Sequence, residues 1–125
     1  MSRLGTAYLR ALQAIGRRLD YGTNVYEREW DVLVVLDACR ADLLQSVAPD
    51  IDFLGAVESV RSVGSSSSEW LENTFLGHPE TGHTVMVTGN TWTDRYLDGD
   101  AFAALDEVWK YAWDDEYDTV PADAI

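Results

Sequence analysis

Residues 31–37 read DVLVVLD, five apolar residues closed at both ends by an aspartate. Such a run has no polar side to turn toward water, so it marks a strand covered on both faces, as in the centre of a parallel sheet. Parallel neighbours need crossover connections, usually helical, and these must lie above and below the sheet. The run therefore asks for an α/β layer architecture from the rest of the chain.

The chain has 125 residues, enough for one folding unit with a real core but short for most layered enzymes. Its flanking elements fit the demand. Leu43, Leu44 and Val47 fall at helical spacing after the run, and Pro49-Asp50 stops them. Residues 53–63, FLGAVESVRSV, offer a second strand. A Gly-Ser loop then delivers a helix with Trp70, Leu71, Thr74 and Phe75 on one face and Gly77 and Pro79 as stop signals. Residues 83–90, HTVMVTGN, form a third strand candidate. Residues 100–115 read as a last helix carrying Phe102, Leu105, Val108, Trp109 and Ala112. The alternation predicts a mainly parallel sheet flanked by helices. No internal repeat is visible.

Upstream, Leu4, Tyr8, Leu12, Ile15 and Leu19 line one face of an amphipathic helix, so residues 1–22 read as that helix and a connector, and 23–125 as the α/β unit. The helix carries Arg3, Arg10, Arg17 and Arg18 and no acid before Asp20. It could pack on its own acidic domain or touch an anionic membrane surface. No apolar stretch reaches transmembrane length, and the N-terminus lacks the pattern of a secretory signal.

The formal net charge is −13, from 22 acids against 9 bases. This excludes a nucleic-acid partner, because too little positive charge is present to replace counterions along a phosphate backbone. Eight of the bases are Arg and only Lys110 is Lys, and the acids are scattered, a pattern expected of a halophilic protein. The single cysteine, Cys39, rules out an internal disulfide and fits a small buried residue in a reducing, cytoplasmic setting.

Ligands of an open parallel sheet gather at the carboxyl ends of its strands. Asp37 and Asn90 end strand candidates, and Ser65 to Ser68 precede a helix, so all could face one crevice. Asp37 suits a hard divalent cation, or an N-cap for a helix starting near Ala38. Ser66 and Glu69 have the spacing of a capping box. Alternatively, a serine hydroxyl at a helix N-terminus can act as a nucleophile toward an anionic ester. His78 and His83 flank a turn without ligand spacing and read as surface histidines.

WDVLVVLDACRADLL resembles the first strand motif of the alkaline phosphatase superfamily, most closely its sulfatase branch, in a haloarchaeal-type acidic form. SSEWLENTFLG resembles the nucleophile segment of that branch, and HTVMVTGNTW its next strand. The resemblance covers residues 30–92, the N-terminal portion of such an enzyme. It implies a partial alkaline-phosphatase-like layered fold and a metal-dependent hydrolase or transferase of small phosphate or sulfate esters.

By position the resemblance makes Asp37 a metal ligand for Zn, Mg, Mn or Ca, and Ser67 the nucleophile, with Ser65 the alternative. Asn90 and Arg40 would contact substrate, although a structural ion pair with Asp42 or another acid is the more direct use of Arg40. Ala38 stands where sulfatases commonly carry a second metal-binding Asp. A serine nucleophile suits phosphoryl transfer better than the oxidised cysteine of sulfatases does. The second-half metal ligands of the family have no counterpart in this sequence, so the chain is expected to be truncated and incomplete by itself. Alternatives are a non-catalytic family remnant or a small acidic interaction domain, and an open half-sheet predicts self-association or a partner chain.

Overall fold

The computed structural model describes residues 7, 8, 10, 11, 22–37 and 39–125. In chain order the regular elements are α1 (Ala41–Val47), α2 (Ser67–Phe75), β1 (Val85–Thr88), α3 (Thr93–Tyr96) and β2 (Ala104–Glu107), joined by short 3-10 turns. The fold is α/β, with β1 and β2 paired in parallel and Val85 opposite Ala104 through Thr88 opposite Glu107. Ala7, Tyr8, Arg10 and Ala11 are helical; the remainder of the expected amphipathic N-terminal helix lies outside the described residues.

The core sits between α2 and the inward face of the sheet. Leu71, Phe75 and Phe102 are buried together, and Tyr26, Trp70, Met86, Leu97 and Leu105 pack against them. The rings meet edge-on or tilted: Phe75 lies 5.3 Å from Phe102, 5.7 Å from Trp70 and 5.9 Å from Tyr26, centroid to centroid. Edge-to-face contacts of this kind add to the burial of large rings. The alternation of β1 follows from this packing, since Met86 turns inward while Val85 and Val87 are exposed.

Helix α2 is built by its ends. Ser66 is the N-cap, its Oγ accepting from the Glu69 N–H at 3.3 Å. Gly77, at φ +69°, turns the chain after the last helical residues, the left-handed conformation that glycine takes without steric cost. The Asn24 side-chain amide donates to the carbonyls of Asn73 at 3.4 Å and Thr74 at 3.2 Å, satisfying acceptors that the helix end leaves open. Asn73 in turn donates to the Val63 carbonyl at 2.7 Å.

A second clasp closes beside it. The Thr23 N–H donates to the Arg61 carbonyl at 2.8 Å. Gly22 has φ +97° and stands so close that a Cβ would lie 2.4 Å from the Ser62 carbonyl oxygen. Only glycine fits there.

Three expectations are corrected. Residues 31–37 do not form a strand: among the described residues they have no ladder partner, and Val32 is 81% and Val34 74% exposed. A buried-strand composition needs neighbouring strands to become one. Residues 53–63 are irregular for the same reason, with Phe53 87% exposed. Residues 100–115 are not a helix: Ala104–Glu107 joins β1 as β2, and 3-10 turns flank it. Pairing with β1 overrides the weak helical spacing, while Phe102 and Val108 are still buried as the pattern required. Helix α1, α2 and β1 match their expected positions, but α1 contains no buried residue.

Candidate functional site

The carboxyl ends of β1 and β2 carry the densest polar network. Asn90 leaves β1 in a turn of its own making. Its Oδ1 accepts from the Trp92 N–H at 3.0 Å, and its backbone N–H donates to Thr88 Oγ1 at 3.1 Å. Its carbonyl accepts from Thr93 N–H at 3.3 Å and lies 2.9 Å from Thr93 Oγ1, which starts α3.

Thr93 is fully buried and its hydroxyl is the hub. It lies 2.7 Å from Glu107 Oε1, at the end of β2, and accepts from Trp109 Nε1 at 3.1 Å. Lys110 closes the set, with Nζ 2.6 Å from Glu107 Oε2 and 2.8 Å from Asp94 Oδ1. The hydrogen bond from Lys110 to Asp94, then that to Glu107, pushes the ammonium pKa above its ordinary value. Lys110 is therefore a charged partner for two carboxylates rather than a base near neutral pH. The side-chain amide nitrogen of Asn90 donates to no described residue, so it can still meet an oxyanion.

Sequence reasoning missed Thr93, Glu107, Trp109 and Lys110 as a group, because it placed 107–110 in a helix. The available signal was the sole lysine, directly after Val108-Trp109 and three residues from Glu107.

The serine run divides its labour. Ser66 caps α2, and its Oγ lies 3.1 Å from that of Ser68. Ser65 donates its hydroxyl to Glu69 Oε2 at 2.7 Å and its N–H to the same oxygen at 3.0 Å. The capping expectation is thus met with a shift, the glutamate reaching Ser65 rather than Ser66. Ser67, the first helical residue, makes no side-chain hydrogen bond among the described residues and sits where first-turn N–H groups converge.

Asp37 is exposed in a turn after the apolar run, closed by the Cys39 N–H to the Leu36 carbonyl at 3.3 Å. It is not the N-cap of the next helix, which begins at Ala41 with Arg40 in the cap position. Arg40 is engaged in a two-pronged pair with Asp42, at 2.9 Å and 2.8 Å. Cys39 is exposed, not buried. His78 stacks on Tyr26 at 4.4 Å and accepts from the Glu80 N–H, while exposed His83 faces Glu80 at 3.5 Å.

Packing of α2 on α3 brings the serine helix and the Asn90 turn onto neighbouring elements. No hydrogen bond joins Asp37, Ser67 and Asn90 among the described residues. The divalent ion implied by the resemblance does not fit this arrangement, since no three His, Cys, Asp or Glu side chains cluster to hold a metal among the described residues. An open cleft of about 770 Å³ lies between Trp30, Asp31, Glu80, His83 and Val85. It borders the amino end of β1, the wrong end of a parallel sheet for a substrate site. No helix among the described residues is long and apolar enough to cross a membrane.

Comparison with family models, with curated proteins and with solved structures returned no match.

Proposed function

We propose that this chain is a sulfatase-like, partial alkaline-phosphatase-type unit that handles small phosphate or sulfate esters, with Ser67 as the nucleophile and Asn90 as an oxyanion donor. The observation that carries the reading is the state of the Ser67 hydroxyl. Its neighbours Ser65 and Ser66 are used by Glu69 and by the cap, whereas Ser67 stands at the start of α2 without a described partner. First-turn N–H groups and the helix dipole favour an anionic ester there.

In the proposed step the Ser67 oxygen forms a bond to phosphorus or sulfur, the ester bond to the alcohol breaks, and the serine proton leaves with the alcohol. Water then cleaves the seryl ester. Asn90 would stabilise the charge on a non-bridging oxygen through its side-chain N–H. No step is routed through a metal.

The test is incubation of the whole chain with an aryl phosphate and an aryl sulfate, with each of Zn²⁺, Mg²⁺, Mn²⁺ and Ca²⁺ and without metal, followed by peptide mass spectrometry. A phosphoryl or sulfuryl adduct on the peptide containing Ser67, absent in Ser67→Ala and retained in Ser65→Ala, is expected. Absence of both adduct and turnover under every condition overturns the reading. A second reading, a non-catalytic acidic interaction domain, is favoured by the exposed apolar residues of 32–36 and α1. Capture of a partner by a chain without turnover would support it.

A further inference from the structure

Trp92 is 45% exposed, although the backbone around it is held on both sides. Its N–H donates to Asn90 Oδ1 at 3.0 Å, and its carbonyl accepts from the Arg95 and Tyr96 N–H groups at 3.2 Å and 3.1 Å. The next residue, Thr93, is fully buried and tied to Glu107 and Trp109. The indole is therefore presented from a fixed seat beyond the carboxyl end of β1, where ligands of a parallel sheet gather. The Tyr96 ring lies 5.8 Å from it, tilted by 50°, and the Arg95 guanidinium stands over it at 5.8 Å from the centroid.

The charge of Arg95 is not spent on a carboxylate. The chain has 22 acids against 9 bases, and several of its cations are paired: Arg28 faces Glu58, Arg40 holds Asp42, and Lys110 holds Asp94 and Glu107. Arg95 makes no ion pair among the described residues, and the acid beside it in sequence, Asp94, is held by Lys110. A cation–π contact uses the charge of a guanidinium and not its N–H donors, which stay available to a phosphate-like or sulfate-like group. The side-chain amide of Asn90, in the turn that leads into α3, adds a further donor.

We propose that Trp92 and Arg95, with Asn90, bind a small planar aromatic anion, an aryl phosphate, sulfate or phosphonate, its ring against Trp92 and its anionic group on the Arg95 donors. An inorganic anion uses only the second contact, and a neutral aromatic only the first. The net charge of −13 repels a large polyanion, whereas a ligand with one or two charges meets the local cation at short range, where salt screens the rest of the chain. Binding stands on these groups alone. Its use as the seat of an aryl leaving group rests on the ester-handling reading, whose substrate class it narrows to aryl esters.

The experiment titrates the whole chain at high salt with phenylphosphonate, which has no ester bond to cleave, and follows the tryptophan indole N–H signals by NMR, assigned with Trp92→Phe and Trp109→Phe. Inorganic phosphate and benzyl alcohol are the controls. A saturable shift of the Trp92 signal is expected, with phenylphosphonate bound at least about 10-fold more tightly than either control and about 10-fold more weakly in Arg95→Gln. The Trp109 indole, held by Thr93, reports that Arg95→Gln keeps its fold. No saturable shift at Trp92 overturns the proposal, as does equal affinity for either control or unchanged affinity in Arg95→Gln. A chain that binds phenylphosphonate at Trp92 but forms no adduct and turns over no ester keeps this site and loses the ester-handling reading; an adduct at Ser67 without the Trp92 shift does the reverse.

Discussion

Three buried threonines give a matched test of how polar satisfaction sets stability here. Thr74, Thr81 and Thr93 are 0%, 2% and 0% exposed. Their hydroxyls differ completely. Thr74 Oγ1 has no hydrogen-bond partner among the described residues. Thr81 Oγ1 donates to the Phe75 carbonyl at 2.8 Å. Thr93 Oγ1 holds Glu107, Trp109 and the Asn90 carbonyl.

Valine keeps the shape and the β-branching, so each substitution changes little except the hydroxyl. A buried hydroxyl without a partner costs about 1–3 kcal/mol, and Thr74→Val removes that cost. At the lower end of this range, about 1 kcal/mol for a chain of this size raises Tm by roughly 3–6 °C. Thr81→Val removes one neutral bond and is expected to cost about 1 kcal/mol. Thr93→Val removes a bond to a carboxylate and leaves Trp109 Nε1 without an acceptor, so about 2–4 kcal/mol is expected. Thermal and urea melts at constant salt rank the variants, the urea slope checking that the transition stays comparable. The expected order is Thr74→Val, wild type, Thr81→Val, Thr93→Val. A Tm below wild type for Thr74→Val, or equal losses at all three positions, refutes the reasoning.

Other outcomes follow from single contacts. Ser66→Ala removes the cap of α2 and is expected to cost about 1 kcal/mol in a denaturant melt, with Ser68→Ala near neutral by comparison. Gly22→Ala demands both a left-handed backbone and a Cβ 2.4 Å from a carbonyl oxygen, so a loss of about 2 kcal/mol or more is expected, seen as a lower urea midpoint. The raised Lys110 pKa means that its pairs with Asp94 and Glu107 stabilise the fold fully below the ordinary lysine value, and that this is lost as pH rises through the folded value. The Tm difference between wild type and Lys110→Gln should therefore be constant from neutral to mildly alkaline pH and shrink at higher pH; growth with pH would contradict it. Tyr111 donates to Asp106, which raises its pKa, so spectrophotometric titration should show Tyr111 ionising at lower pH in Asp106→Asn than in wild type.

What could be read from the sequence depended on whether a signal was local. The cap and stop of α2 need only Ser66, Glu69 and Gly77, and those residues act there. The Arg40 to Asp42 pair is two residues long, and it was legible as an ion pair. By contrast, residues 31–37 and 104–107 have their fate decided by a neighbouring strand. An apolar run states that burial is wanted without naming the cover, and Phe102, Leu105 and Val108 satisfy a helical spacing while lying in and around a strand. The network around Thr93 was illegible because its members come from three elements that meet only when β1 and β2 pair. Ser67 and Asn90 were legible as helix-start and strand-end residues.

The clasp formed by Gly22 and Thr23 with residues 61 and 62 has a topological consequence. Together with the Asn24 and Asn73 contacts, it pins both ends of the stretch between them to one corner of α2, so the intervening chain leaves and returns at a single point. The fold then behaves as a keyring with a detachable loop. A protease that nicks the exposed chain near Phe53 should leave two fragments that migrate together until denaturant opens the clasp, because the connection through the loop carries little of what holds the rest together.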